Sequence, residues 1–316
     1  MTKIIAEIGT NHEGSLDLAC EMIEKFANAG ADIIKFQAFV VEDMVPKNAS
    51  YYDRMKQLEV KKDWYKVLIE ECKKNGVEFL STATSFKSLE WMEDAGANMY
   101  KVASGNATHI PILDKLIEIN KPIIISLGLL EFNEILELAN YFESKNFHKF
   151  SFLHCQVKYP TPTNASNLKN ITILKELFPN TTIGYSDHTL SILTPSIAVS
   201  LGAKIIEKHV FLKKGNIGMD YDTAINLDDF KRMVEMIRET EEMLKVDFRI
   251  SQDIKQQYRR SFHAKKDIKK GEVLSFKNLK ISRPEDGIEP KYYNKVLGKK
   301  AKKDIKAEQP IRWDDI

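Results

Sequence analysis

His188 and His209 stand 21 positions apart in SDHTLSILTPSIAVSLGAKIIEKHV, Ser186 to Val210, with mostly apolar residues between them. Two neutral imidazoles brought to one place are good ligands for a divalent first-row metal. Either histidine alone reads as a satisfied core residue. The pair, if it returns to one rim, favours metal ligation, with water or substrate completing the shell. Lys35 and Lys101 each follow an apolar run. One such lysine snorkels or pairs with a carboxylate. Two of them, accompanied by Gln37, Thr82, Ser104, Ser126 and Ser186, point instead to an anion site for a phosphate or carboxylate, because an unpaired cation near a core is costly. Glu7 lies inside an apolar segment, where catalysis and pairing with a lysine fit equally well. Asp220 and Asp222 follow the second histidine and, as loop aspartates, mean little alone. Cys155 reads as a packing residue.

These residues belong together only if the chain brings them to one end of one sheet. Short β-type runs alternate with amphipathic helical stretches. The runs are KIIAEIG, ADIIKFQ, VEFLSTA, NMYKVAS, PIIISLG, KFSFLHC, TTIGYSD and AKIIEKHV. Each is followed by a helical pattern, the last being Leu227–Leu244, and turns such as Asn75-Gly76 and Leu201-Gly202-Ala203 close several helices. Eight β/α units in this length predict an α/β fold, a TIM (β/α)8 barrel over residues 1–246. A doubly wound sheet would need a Gly-rich dinucleotide turn after the first strand, and there is none. Residues 247–260 are polar and read as a linker. Residues 261–316 read as a small β-rich domain, with a turn at Lys269-Lys270-Gly271 and a loop at Arg283-Pro284. In a TIM barrel the site lies at the C-terminal strand ends. The polar residues above fall there on seven strands, His154 and Gln156 stand at the end of the sixth, and the 21-residue spacing of the histidines is about one β/α repeat.

The bulk numbers exclude other classes. Lys and Arg number 47 against 45 Asp and Glu, so no global field favours nucleic acid or a membrane surface. No apolar run reaches the length of a membrane span, and the N-terminus lacks a signal-peptide layout. Three scattered cysteines, Cys20, Cys72 and Cys155, make no disulfide framework. A soluble cytoplasmic protein is the expectation.

The segments AEIGTNHEGS, ADIIKFQ, YKVASG, HCQVKYPTP, GYSDHTL and GAKIIEKH followed by Asp220 resemble the sialic acid synthase family, the N-acetylneuraminate and related nonulosonate synthases. The tail, including SRPEDGIEP and VLGKKAKKDIKAEQPI, is similar to that family's antifreeze-like (β-clip type) domain. The resemblance covers nearly the whole chain in order. It implies condensation of phosphoenolpyruvate with an N-acylated aldose such as N-acetylmannosamine. The products are a 3-deoxy-2-ulosonic acid and phosphate, and a divalent metal, Mn2+ or Mg2+, is required. It implies that His188 and His209 hold the metal. Lys35, Lys101, Ser104, Ser186, Gln37 and Thr82 then hold phosphoenolpyruvate, with Glu7 near metal and substrate. Tyr159, Asp220 and the position of Asn106 fall on the sugar side. Arg283 matches an arginine that one subunit places over the other's site, which implies a domain-swapped homodimer.

Departures from the family pattern cluster on the sugar side. Gly105-Asn106 stands where Gly-Glu is usual, so a carboxylate is lost. Ser81-Thr82-Ala83 replaces Ser-Thr-Pro, Ser126-Leu127-Gly128-Leu129 replaces Ser-Thr-Gly-Met, Val157 replaces a polar residue, and Gly218-Met219-Asp220 replaces Gly-Pro-Asp. The expectation is a phosphoenolpyruvate-dependent synthase whose acceptor differs from plain N-acetylmannosamine. A pseudaminic or legionaminic acid synthase using a diacylated deoxyhexose is the alternative within the class. A catalytically silent sugar-binding paralogue is the alternative outside it, and intact His188, His209, Lys35 and Lys101 argue against it. Ice binding by the antifreeze-like domain is set aside.

Overall fold

The computed structural model describes residues 1–316, which divide into two compact units, Met1–Lys245 and Val246–Ile316. In the first unit eight strands close into a barrel in chain order, all parallel: β1 Lys3–Gly9, β2 Ile33–Ala38, β3 Glu78–Ala83, β4 Tyr100–Val102, β5 Ile123–Ser126, β6 Phe150–Cys155, β7 Thr182–Asp187 and β8 Ile205–His209. β8 closes onto β1 with His209 opposite Glu7. Helices follow the strands, and their starts are written in the sequence. Ser15 Oγ accepts from the amide of Leu18, Ser85 and Ser88 form a reciprocal capping box, and Asn226 caps the long last helix, Leu227–Met243.

Strand alternation sorts the side chains into two sets. On β1, Ile4, Ala6 and Ile8 join the main core between barrel and helices. Ile5 joins a separate cluster inside the barrel with Ile33, Leu80, Ile124, Leu153 and Ile205. Two residues further along the same six strands stand Glu7, Lys35, Thr82, Ser126, Cys155 and Glu207, all buried. An apolar floor therefore carries a polar layer above it, on the side of the C-terminal strand ends.

Two segments differ from the sequence reading. Between β2 and Trp64 lie two short helices, Val41–Met44 and Tyr52–Gln57, with a small cluster of Phe39, Val41, Met55 and Leu58 beneath them. Helices this short carry too few turns to show a period. Residues 247–260, read as linker, contain the helix Gln252–Tyr258, capped by Ser251 Oγ, and group with the second unit. Five of its seven residues are polar or charged, a composition that resembles a linker. In the second unit β9 (Ser261–Ala264) pairs antiparallel with β10 (Leu279–Ser282), and isolated bridges join the remaining extended pieces. Its core is small, built on residues such as Phe262, Ile268, Leu274, Ile305 and Ile311.

The floor also explains one glycine. A Cβ on Gly184 of β7 would stand 2.5 Å from the carbonyl oxygen of Ile205 and 2.5 Å from Leu153 Cδ2. Gly184→Ala overpacks this layer against backbone that cannot retreat. It is expected to destabilise the barrel by about 1–3 kcal/mol, read as a lowered urea midpoint at unchanged slope.

Candidate active site

The polar layer opens into a cavity of about 190 Å3 at the C-terminal strand ends. Its walls include Lys35, Gln37, Thr82, Lys101, Ser104, Ser126, Tyr159, Ser186, His188 and His209, so ten residues singled out from the sequence meet in one place. Pairing registers set them side by side: Glu7 opposite Lys35, Gln37 opposite Thr82, and Thr82 opposite Lys101. β4 is only three residues long, because the chain turns at Ser104–Asn106 into a single 3-10 turn.

Charge in this layer is partitioned unevenly. Lys35 Nζ lies 2.7 Å from Glu7 Oε2 and 3.5 Å from Glu207 Oε2. Gln37 Nε2 donates to Glu7 Oε1 at 3.1 Å, and Ser186 Oγ donates to Glu207 Oε1 at 2.8 Å. Lys35 is therefore not the uncompensated cation that the sequence suggested. Burial opposes its charge, but Glu207 and Glu7 outweigh that and raise its pKa. Lys101 does lack a carboxylate partner. Its Nζ donates to Ser126 Oγ at 2.6 Å and to the carbonyl of Val102 at 3.2 Å. Burial lowers its pKa, with Glu207 acting in the other direction. Glu207 feels burial upward, but Lys101 and then Lys35 hold its carboxyl down at about 2. An anion entering beside Lys101 would give it the direct ionic contact that Glu7 and Glu207 make with Lys35 instead.

The two imidazoles are neighbours, with ring centroids 5.4 Å apart, and Tyr159 lies 4.2 Å from the His188 ring. His188 Nδ1 faces the carbonyl oxygen of Gln156 at 2.5 Å. A carbonyl can only accept, so Nδ1 carries the proton and Nε2 is left with its lone pair, the tautomer that metal-ligating histidines adopt. Burial, then the neighbouring His209, lowers the His188 pKa to about 4, which keeps the ring neutral. His209 Nδ1 is buried with no hydrogen-bond partner. These donors fit a divalent ion. No group of three His, Cys, Asp or Glu side chains converges to complete a shell.

The remaining expected residues lie around the cavity or outside it. Glu7 is fully buried below it. Asp220 Oδ2 accepts from the amide and hydroxyl of Thr10, at 3.0 and 2.9 Å. Asn106 turns its amide toward the carbonyl of Ala83 at 3.3 Å. Arg283 is in the second unit, where its guanidinium stacks 5.3 Å from the Tyr258 ring and donates to the Tyr258 carbonyl at 2.9 Å. Glu207 is the central residue to which the sequence reading gave no role, although it stands among the polar residues at the end of the eighth strand, beside Lys208 in IIEKH. The alternation of β8 was the available clue, since Ile205, Glu207 and His209 share one side.

Lys208 and Asp187 point the other way. They form an ion pair of 2.7 Å between strands and helices, with both side chains fully buried. Asp187 also accepts from Tyr185 Oη, the amide of Thr189 and Thr194 Oγ1, and Lys208 donates to the carbonyls of Thr189 and Ser191. The pair thus pins the loop that begins with His188.

A parallel eight-stranded barrel with this polar layer defines a (β/α)8-barrel protein whose site is built from strand C-termini. More narrowly, the chain belongs to the NeuB family, whose model matches residues 22–247, and a SAF domain model matches residues 259–316. It is 40% identical to an uncharacterised protein of Methanocaldococcus jannaschii, over 100% of this chain and 94% of that one. It is 36% identical to the N,N'-diacetyllegionaminic acid synthase of Campylobacter jejuni, over 98% and 99% of the two chains. Among solved structures it is similar to the N-acetylneuraminic acid synthetase of Leptospira borgpetersenii, crystallised with citrate. The TM-score is 0.75 at 30% identity, over 80% of this chain and 88% of that one.

The outward ion pair yields a stability prediction. Lys208→Met keeps the length of the side chain and leaves Asp187 buried without its cation. The expected loss is about 3–5 kcal/mol in unfolding free energy by urea titration. Removing both charges, in Asp187→Asn with Lys208→Met, should cost less than the single change.

Proposed function

We propose that this protein is a carbon–carbon bond-forming transferase that condenses phosphoenolpyruvate with an aldose, releasing phosphate and a 3-deoxy-2-ulosonic acid. The observation that carries this reading is Lys101, a buried cation with only neutral partners, standing in one cavity with Lys35 and the facing pair His188 and His209. The names of two relatives, acid synthases aligned over 98% and 80% of this chain, support the same class.

The residues divide the work. Lys101, with Ser126, Ser104, Ser186 and Thr82 around it, receives the carboxylate and phosphate of phosphoenolpyruvate, and Lys35 adds a second positive charge held in place by Glu7 and Glu207. His188 and His209 would hold a divalent metal, Mn2+ or Mg2+, whose chemistry there is polarisation of the aldehyde carbonyl. C3 of phosphoenolpyruvate bonds to the aldehyde carbon, and water adds at C2. The C–O bond to phosphate then breaks. Glu7, ordered by Lys35 and Gln37, takes one proton of the added water, which ends on the former aldehyde oxygen, and the other proton leaves with the phosphate as C2 becomes a ketone. Tyr159, Asp220 and Asn106 face the sugar. Holding both reactants in one barrel mouth makes the bond-forming step effectively unimolecular. The departures at Asn106, Val157 and Met219 place the novelty of this chain in its acceptor. The intact cavity speaks against a silent sugar-binding paralogue.

Turnover is tested with phosphoenolpyruvate, Mn2+ and a panel of aldoses that includes N-acetylmannosamine and diacylated deoxyhexoses. Phosphate release and product mass are the readouts. Lys101→Ala and His188→Ala are each expected to lower turnover about 100-fold or more while remaining folded, and a chelator should abolish it until metal is returned. Phosphate release with no aldose in the panel overturns the reading.

We also infer a homodimer in which Arg283 of one copy reaches the site of the other. The charge distribution supports it. Residues 246–316 carry 19 Lys and Arg against 11 Asp and Glu, which leaves the barrel with 28 against 34. Opposite fields of this kind draw a basic unit toward an acidic barrel. Arg283→Ala and Lys101→Ala should each be defective alone and regain partial turnover when mixed. No gain on mixing, with dimers present, argues against action across the dimer.

A further inference from the structure

The turn after β1 and the loop after β8 are tied together by one carboxylate that the mechanism above does not use. Glu13 stands in that turn at φ +55°. Its Oε2 accepts from the amides of Asn216 at 2.8 Å and Ile217 at 3.0 Å. Its Oε1 accepts from the amide of Gly218 at 2.5 Å and from Tyr221 Oη at 2.7 Å. Three consecutive amides thus wrap one anion, as backbone nests do around phosphate. Glycine makes the approach possible. A Cβ on Gly215 would lie 2.1 Å from Glu13 Cδ, and one on Gly218 would lie 2.8 Å from Glu13 Oε1.

The same stretch is held from its carbonyl side by a cation. Arg54, on the short helix Tyr52–Gln57, donates to the carbonyls of Ile217 and Gly218, both at 2.8 Å. The next two residues are then delivered to the mouth. The amide of Met219 donates to Thr10 Oγ1 at 2.9 Å, and Asp220 Oδ2 receives both Thr10 donors. Asp220 comes to rest against Gly9. The point where a Gly9 Cβ would stand is 2.5 Å from Asp220 Oδ2, 3.2 Å from Gln37 Nε2 and 3.3 Å from Glu7 Oε1. Asp220 is therefore placed beside the charged layer by a chain of contacts that begins at Glu13.

We propose that Glu13, assisted by Arg54, is a positioning residue for acceptor specificity. Through the amides of residues 216–218 it sets where the Asp220 carboxylate stands, and Asp220 accepts hydroxyl hydrogen bonds from a polyhydroxylated aldose. This rests on the reading of the cavity as an aldose-accepting synthase site. Glu13 itself touches neither reactant. Its effect is confined to the acceptor side, because the residues assigned to phosphoenolpyruvate come from β2, β3, β4, β5 and β7 and the turn at Ser104, and not from this loop.

The experiment compares wild type, Glu13→Gln and Arg54→Met in the full-length protein. Glu13→Gln keeps the shape but turns an amide NH2 toward donors and removes the charge. Expected is a rise of about tenfold or more in KM for the aldose, with KM for phosphoenolpyruvate within about twofold. Arg54→Met should show the same split. Asp220→Asn should have a larger effect, and adding Glu13→Gln to it should change little more. Amide hydrogen exchange at residues 216–221 reads the loop without turnover, and should be faster in Glu13→Gln than in wild type. Equal changes in both KM values, or unchanged exchange in the loop, overturns the positioning role. Wild-type protein without turnover on any aldose overturns the functional reading instead, and exchange still decides whether Glu13 orders the loop.

Discussion

The barrel interior is organised around a cost. Four ionisable side chains, Glu7, Lys35, Lys101 and Glu207, are buried in one layer where water cannot solvate them. Such charges persist only when they are paired and hydrogen-bonded. Glu7, Lys35 and Glu207 satisfy that among themselves, with Gln37 and Ser186 taking the remaining oxygens. Lys101 is left with a hydroxyl and a carbonyl. The layer is neutral in sum and unsatisfied at one point. An anion bound at that point meets fixed partners that need no reorganisation, the condition under which a site does electrostatic work. The apolar floor beneath serves the same end, since it denies the layer any access to water from below.

Strand alternation turns this constraint into a rule for the neighbouring residues. On β8, Glu207 and His209 face the interior, so Lys208 between them must face the helices. On β7, Ser186 faces in and Asp187 faces out. The two outward charges are then brought together by the register that pairs Asp187 with Lys208. A buried pair of this kind is a weak source of net stability. Its value here is geometric, because its hydrogen bonds end on the loop that carries His188. One pair of adjacent strands thus supplies both the interior chemistry and the exterior brace.

The barrel was legible because its signals are local. Alternating β-branched runs, helical periods and Gly-containing turns each occupy a few residues, and repetition eight times over leaves few architectures. The position of most cavity residues followed from that, since a strand end is a place in the sequence as well as in the fold. What was not legible depends on partners far apart. Nothing near Lys35 reveals that Glu7 and Glu207 neutralise it, and Glu207 itself looks like half of a surface Glu-Lys pair. Glu13 finds its amides 203 to 205 positions away. The helices at 41–44 and 52–57 are too short to show a period, and the polar helix at 252–258 has the composition of a linker. The near-zero net charge hid two units of opposite sign, because a sum over the chain carries no position.

These two kinds of information map onto two kinds of wall. The charged layer comes from inward positions of strands, where a change of one residue alters a packed and paired interior. The rim comes from turns and loops: Asn106 after β4, Val157 after β6, and Met219 in the loop held by Glu13. Met219 contributes its backbone amide to Thr10, a bond that any residue but proline can make, so this chain has a donor here that the usual Gly-Pro-Asp lacks. Val157 Cγ1 stands 3.0 Å from where a Gly128 Cβ would be, so the loops after β5 and β6 constrain each other rather than the layer below. Of the residues that differ from the family pattern, Asn106, Val157 and Met219 lie on these loops, Leu127 and Leu129 follow β5 and Ala83 ends β3, while the paired charges and the two imidazoles do not differ. A barrel divided in this way can vary its rim without disturbing its interior, because the loops that differ are not the elements that hold the charge.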